Sequence, residues 1–185
     1  MTGKTRIGIA LTLFLCALCV LSCSKKEEGE GEAQQQLGLE GGISDEVNFG
    51  VYFDEMGEQR TLTLDEGQEE FKVYIIVRFP EWMEIAAVEW RLELPEGIEI
   101  VNDQFHPKRF MLLGTFEAGI SERFACMTGP SVTIHTLTLK ATGKLRNAEV
   151  AILPGRESKF LGVAKCQESF PLVRAASYKG VVNPE

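Results

Sequence analysis

Histidine is scarce in this chain: there are two in 185 residues, His106 and His135. They show no HxH or HxxxH spacing, which argues against a transition-metal centre. No GxSxG stretch is present, so the usual strand-to-helix setting of a serine nucleophile is missing. Lys and Arg number 19 against 27 Asp and Glu, a formal net charge of −8. Nucleic acid is therefore not an expected partner, because phosphate binding needs a basic surface. The same charge argues against adhesion to anionic lipid by electrostatics alone. No apolar run reaches the roughly 20 residues of a spanning helix. Helical periodicity is nearly absent, and there is no internal repeat.

What is present starts with a basic, then apolar N-terminus. "MTGKTRIG" carries Lys4 and Arg6, and "IALTLFLCALCVL" follows as a 13-residue apolar run. Basic flank, short apolar run and small residue make residues 1–22 a signal peptide. "VLSC" at residues 20–23 resembles the bacterial lipobox, with Leu21 where Ala or Ser is more usual. The resemblance implies a lipid on the Cys23 thiol, cleavage just before it, and acylation of the new amino group. Two or three acyl chains anchor a protein stably where one binds only marginally. Ser24 follows, not the Asp that holds such proteins in the inner membrane. In a two-membrane bacterium the expected location is the outer membrane, facing out of the cytoplasm.

The cysteines then divide cleanly. Cys16 and Cys19 leave with the signal peptide, and Cys23 takes the lipid. Cys126 and Cys166 remain in an oxidising compartment, where a disulfide is the natural reading. It would close a loop of about 40 residues, worth about 4 kcal/mol by chain entropy. Two buried thiols are the alternative; a metal pair lacks the CxxC spacing. Residues 23–46 form the lipidated cysteine and an acidic Gly-, Glu- and Gln-rich linker, too poor in apolar residues to fold.

From Val47 to Glu185 the pattern is strand throughout. "FKVYIIVRF" puts Phe71, Val73, Ile75, Val77 and Phe79 on one face and Lys72, Tyr74, Ile76 and Arg78 on the other. "AVEWRLELPEG" sets Val88, Trp90, Leu92 and Leu94 against Glu89, Arg91 and Glu93. Such alternation marks half-buried strands. In "SVTIHTLTLKATG" Val132 and Ile134 are out of phase with Leu137 and Leu139, which predicts a β-bulge near His135 and Thr136. Nine or ten such strands predict an all-β, antiparallel two-sheet β-sandwich. "FPEWMEIAA" suits a short turn, and "KRFMLLGTFEAG" is ambiguous.

The succession "FKVYIIVRF", "AAVEWRLELPEGIEIV" and "VTIHTLTLKATG" resembles the cohesin-like β-sandwiches over roughly residues 48–152. The resemblance implies a jelly-roll domain. Cohesins of cellulose-degrading complexes bind dockerin modules, and related sandwiches bind carbohydrate. The Cys126 and Cys166 pair and the C-terminal "SYKGVVNPE" depart from that pattern.

Chemistry is less marked. His135 falls mid-strand, in a structural or surface role, and His106 in a loop. Glu89, Glu93 and Glu99 alternate with apolar residues, placing them on a solvated face and not as the close pair of a glycosidase. "FDEMGEQ" reads as a hairpin turn; its clustered oxygens match no EF-hand spacing. No cofactor and no metal is expected. Trp90 belongs to the core. Trp82, after Pro80, is expected in a loop, where an exposed Trp can stack on a sugar or fill a protein pocket. Tyr74 could join it, and Lys108 and Arg109 could anchor an acidic group. The expectation is a membrane-anchored, non-catalytic binding module for a protein or polysaccharide. Its alternatives are a structural subunit of an envelope assembly that pairs by strand edges and, third, a glycoside hydrolase with an unrecognised carboxylate pair.

Overall fold

The computed structural model describes residues 44–185; the signal run, Cys23 and the linker as far as residue 43 lie outside them. All regular structure among the described residues is strand. In chain order the strands are β1 (Ser44–Tyr52), β2 (Thr61–Leu62), β3 (Glu70–Arg78), β4 (Ile85–Glu93), β5 (Ile98–Phe105) and β6 (Arg109–Thr115). They continue with β7 (Gly119–Met127), β8 (Ser131–Ala141), β9 (Ala148–Leu153), β10 (Gly162–Lys165), β11 (Leu172–Tyr178) and β12 (Gly180–Val182). The expected turn at "FPEWMEIAA" links β3 to β4. The ambiguous "KRFMLLGTFEAG" supplies β6.

Hydrogen bonding runs β5-β8-β3-β1-β11-β10-β4-β9-β12-β2, with β7 on the other edge of β4 and β6 on β7. Most ladders are antiparallel, as the alternation predicts. Two are parallel, β1 with β11 and β12 with β2. Both join segments far apart in sequence, which a parallel pair requires because a tight turn cannot connect it. The stretch "FDEMGEQ" is a turn, closed by the Phe53 amide on the Gln59 carbonyl at 2.8 Å. It is not a hairpin, because β2 pairs with β12 and not with β1. Asp54 Oδ1 accepts from the amides of both Glu58 and Gln59, so that oxygen is used to hold the turn.

One hydrophobic core takes the inward residues of β3 and β4 as their alternation demands. Phe71, Val73, Ile75 and Val77 meet Ile85, Val88, Trp90 and Leu92, with Ile134, Leu137 and Leu139 of β8. The outward face of β3 is not solvated throughout. Tyr74 and Ile76 form a second buried cluster with Tyr52, and Arg78 donates to the Gly57 carbonyl at 2.6 Å, fixing the 53–59 turn beside them.

The bulge in β8 falls one residue before His135. Ile75 pairs with His135 and Ile76 with Thr133, leaving Ile134 as the extra residue. The shift turns both Ile134 and His135 inward. A second irregularity skips Val101 in β5, so that Asp103 comes level with Leu137.

Candidate functional site

Two buried side chains among the described residues are polar or charged, Glu122 at 0% and His135 at 1% exposure. Each sits in an inward phase of its strand: Glu122 between Ile120 and Phe124 on β7, His135 two residues before Leu137 on β8. His135 Nε2 donates to Glu122 Oε2 at 3.0 Å, and Nδ1 to Asp103 Oδ1 at 2.6 Å. Glu122 also accepts from Trp90 Nε1 at 3.0 Å and from Arg109 Nη1 at 3.2 Å. The imidazole lies edge-on between Trp90 and Phe116, at 5.3 and 5.4 Å. The Arg109 guanidinium stacks 3.5 Å from the centre of the Phe105 ring.

These four ionisable groups sum to zero when His135 is charged. Burial opposes charge on His135, but the hydrogen bonds and charges of Glu122 and then Asp103 outweigh it and raise its pKa. Burial likewise works to raise the Glu122 pKa, and His135, Trp90 and Arg109 overcome it, so the carboxyl is held below its usual range. A doubly protonated imidazole matches the geometry, since both ring nitrogens face carboxylates. The group contains no hydroxyl or thiol nucleophile. A proton bridge between the two carboxylates also leaves no room for a sugar, so this is not the arrangement of a glycosidase. It ties β5, β6, β7 and β8 together.

A second feature lies on the opposite face of β7. Strand registers set two rows across the sheet: Met111, Arg123, Ala87, Ala164 and Leu172, then Leu113, Ser121, Glu89, Gly162 and Arg174. Ala87, Ala164, Ser121 and Gly162 lie low in the middle beside Arg123 and Glu89, giving a groove walled by Met111 and Leu113 on one side and by Leu172 and Phe160 on the other. Gly162 has to be glycine, because a Cβ there would overlap the Val173 carbonyl and reach Phe160 Cζ at 2.7 Å. Arg123 lies between Phe110 and Phe170, at 5.9 and 5.3 Å from their ring centres. Four strand spacings separate β6 from β11, about 19 Å.

Cys126 and Cys166 are joined as a disulfide, with Cα atoms 5.8 Å apart. It clamps β7, three residues past Arg123, to the turn that carries Phe170. Glu84 lies within 4.8 Å of both sulfurs, but the bond between them removes the thiolates a metal would need.

The four residues expected to bind ligand are dispersed. Trp82 is exposed (68%) in the β3–β4 turn, with the Lys165 ammonium 5.3 Å from its ring centre. Tyr74 is 7% exposed and donates to Glu55 at 3.3 Å; burial and then that carboxylate raise its pKa. Lys108 is exposed at the start of the β6 hairpin, whereas Arg109 turns inward to Glu122. None of the four shares a hydrogen bond, ion pair or ring contact with another. His106 is in a loop as expected, its Nδ1 accepting from the Lys108 amide at 3.2 Å. Burial, and then Lys108, lower its pKa. The network and the groove floor escaped the sequence reading. Their signal was an ionisable residue at an inward phase, Glu122 and His135, and small residues at an outward one.

No family model matches the sequence, and no curated protein matches it. Solved structures do. A cohesin module from a family 33 glycoside hydrolase of Clostridium perfringens superposes with a TM-score of 0.53 at 10% identity, covering 77% of this chain and 100% of that one. A type III cohesin module from the cell-surface anchoring scaffoldin of Ruminococcus flavefaciens gives 0.51 at 10% identity, over 76% of this chain and 88% of that one. At this identity the likeness is one of fold. The described domain is a cohesin-like β-sandwich, the fold the strand pattern resembles.

Proposed function

We propose that this chain is a non-catalytic binding module, held at the bacterial envelope by lipid on Cys23, which receives a protein partner in the groove between β6 and β11. The fold is read in finer terms as a jelly roll of two packed sheets, with the residues before β1, 24–43, as its tether. The observation that carries the proposal is the groove itself: a floor of Ala87, Ala164 and Gly162 between apolar walls, with Arg123 and Glu89 offering one charge of each sign. An apolar channel suits the apolar side chains of a protein better than a sugar, which wants an exposed aromatic platform. The envelope setting rests on the lipobox. The scaffoldin module named above comes from a cell-surface anchoring protein, which agrees with a fold of this kind at a surface.

The test is a pull-down from envelope extract with the wild type and with Ala164→Arg, which fills the groove floor. A discrete protein retained by the first and lost by the second is the expected result. Equal retention by both rejects the groove. Glycan binding lost on Trp82→Ala would instead make this a carbohydrate-binding module. The anchor is tested separately: Cys23→Ala should move the protein to the soluble fraction, and a variant that stays on the membrane rejects the lipid.

One observation favours a second reading, assembly through strand edges. Among the described residues β6 bonds to β7 alone, and the strand is apolar and exposed along its other edge.

A further inference from the structure

β6 lacks most of the devices that keep sheet edges apart. Phe110, Met111, Leu112 and Leu113 are exposed by 63, 40, 45 and 61%. Residues 110–115 include no Lys and no Pro, the residues that commonly blunt an edge. Its ladder with β7 shifts register once, at the bulge between Arg109 and Met111 at the start of the strand. Beyond it the row of N–H and C=O groups on the outer edge is unpaired among the described residues.

We propose that two copies of this chain pair through β6, antiparallel, about a two-fold axis at Leu112. The proposal rests on the strand-edge reading and names the partner as the chain itself. Leu112 is the middle residue of the seven in Arg109–Thr115, so this register alone overlaps the whole strand. It sets Leu112 against its own copy, Met111 against Leu113, and Phe110 against Gly114. The last pairing is favourable in a particular way. Gly114 has a φ of +92° and no space for a Cβ, which would overlap the Gly119 carbonyl. A cross-strand aromatic covers the bare backbone such a glycine leaves.

Charge fits the same register. Lys108 stands just before β6 and Glu117 just after it, and neither side chain has an ion-pair partner among the described residues. Antiparallel pairing brings the Lys108 end of each copy to the Glu117 end of the other, and no like charges oppose each other within the strand. Such a contact is isologous, the commonest form of closed dimer. It is also small, in the class of weak and transient interfaces.

The experiment uses the full chain in non-ionic detergent. Sedimentation should show a concentration-dependent dimer, and Leu112→Lys should weaken it at least tenfold while leaving the circular dichroism and unfolding midpoint unchanged. Under mild oxidation Leu112→Cys should cross-link to itself, because Cα atoms opposite each other on antiparallel strands are about 4.5–5.5 Å apart. Met111→Cys and Leu113→Cys should cross-link with each other more readily than either does alone. A monomer up to about 1 mM overturns the proposal, even allowing for a weak interface. So does a dimer that survives Leu112→Lys, or Leu112→Cys cross-linking no faster than Glu66→Cys in an exposed loop. If Val101→Cys on the β5 edge cross-links and Leu112→Cys does not, the strand-edge reading stands and this proposal falls.

Discussion

Replacing His135 with Leu should destabilise the domain by about 3–5 kcal/mol at pH 6, the usual result of removing one partner from a buried ion pair. The cost follows from where the charges are. Glu122 is sealed from water, so without His135 its carboxylate keeps only Arg109 and Trp90. Asp103 and Arg109 are part-exposed, at 28 and 11% of their side chains, and can turn to solvent. The double variant His135→Leu/Glu122→Leu should therefore cost far less, about 1–2 kcal/mol, since neither buried charge is left alone. Urea titrations measure this directly: with a slope of about 2 kcal/mol per molar, the single variant loses roughly 2 M in midpoint. The pH dependence supplies the sign. The folded-state pKa of His135 is raised above its ordinary 6.5, so its stabilisation is complete below that value and is lost as pH rises through the folded pKa. Glu122 is depressed below its ordinary 4.5, so its contribution is present above that value and is lost as pH falls through the folded pKa. Wild-type stability should peak between pH 4.5 and 6.5. His135→Leu should lack the alkaline decline. A single variant that costs under about 1 kcal/mol, or a double variant as unstable as the single, refutes the reasoning.

Two further outcomes are expected. Removing the disulfide by Cys126→Ser and Cys166→Ser together should cost about 4 kcal/mol, read from the urea midpoint, and should open the turn that carries Phe170 to faster amide exchange. Intact protein should weigh two hydrogens less than the reduced form. Trp82→Ala should change stability by less than about 0.5 kcal/mol, because the ring is largely exposed beside Lys165; a larger loss by thermal unfolding would show that it packs.

Strands with one clear face were legible in the sequence. "FKVYIIVRF" and "AVEWRLELPEG" give β3 and β4 in the predicted phase, and Trp90 lies in the core. β6 was ambiguous because "RFMLLGT" is exposed on both faces, so no alternation arises. Tyr74 sits on the predicted polar face of β3, yet the 53–59 turn lies beside that face and Tyr52 packs on it, a tertiary fact. The buried network was half visible. Glu122 is in phase with Ile120 and Phe124, and His135 with Leu137 and Leu139. Their meeting depends on β7 and β8 facing each other, and that of Asp103 depends on the irregularity at Val101, which no local pattern announces.

The place of that network suggests why the fold retains it. Among the described residues β5 and β6 each bond to one neighbour, β8 and β7, and both carry exposed apolar residues, including Val101, Phe105 and Leu112. Hydrophobic burial specifies register poorly for a strand whose two faces are nearly alike. A charge specifies it sharply, because a slip of one residue turns it from partner to solvent. Asp103 fixes β5 against His135, and Arg109 fixes β6 against Glu122. The double variant His135→Leu/Glu122→Leu separates this role from stability. It should keep most of its urea midpoint while β5 and β6 amides exchange much faster than those of β3. Uniform protection across all four strands would show that packing alone sets the register, and that the buried charges contribute only to stability.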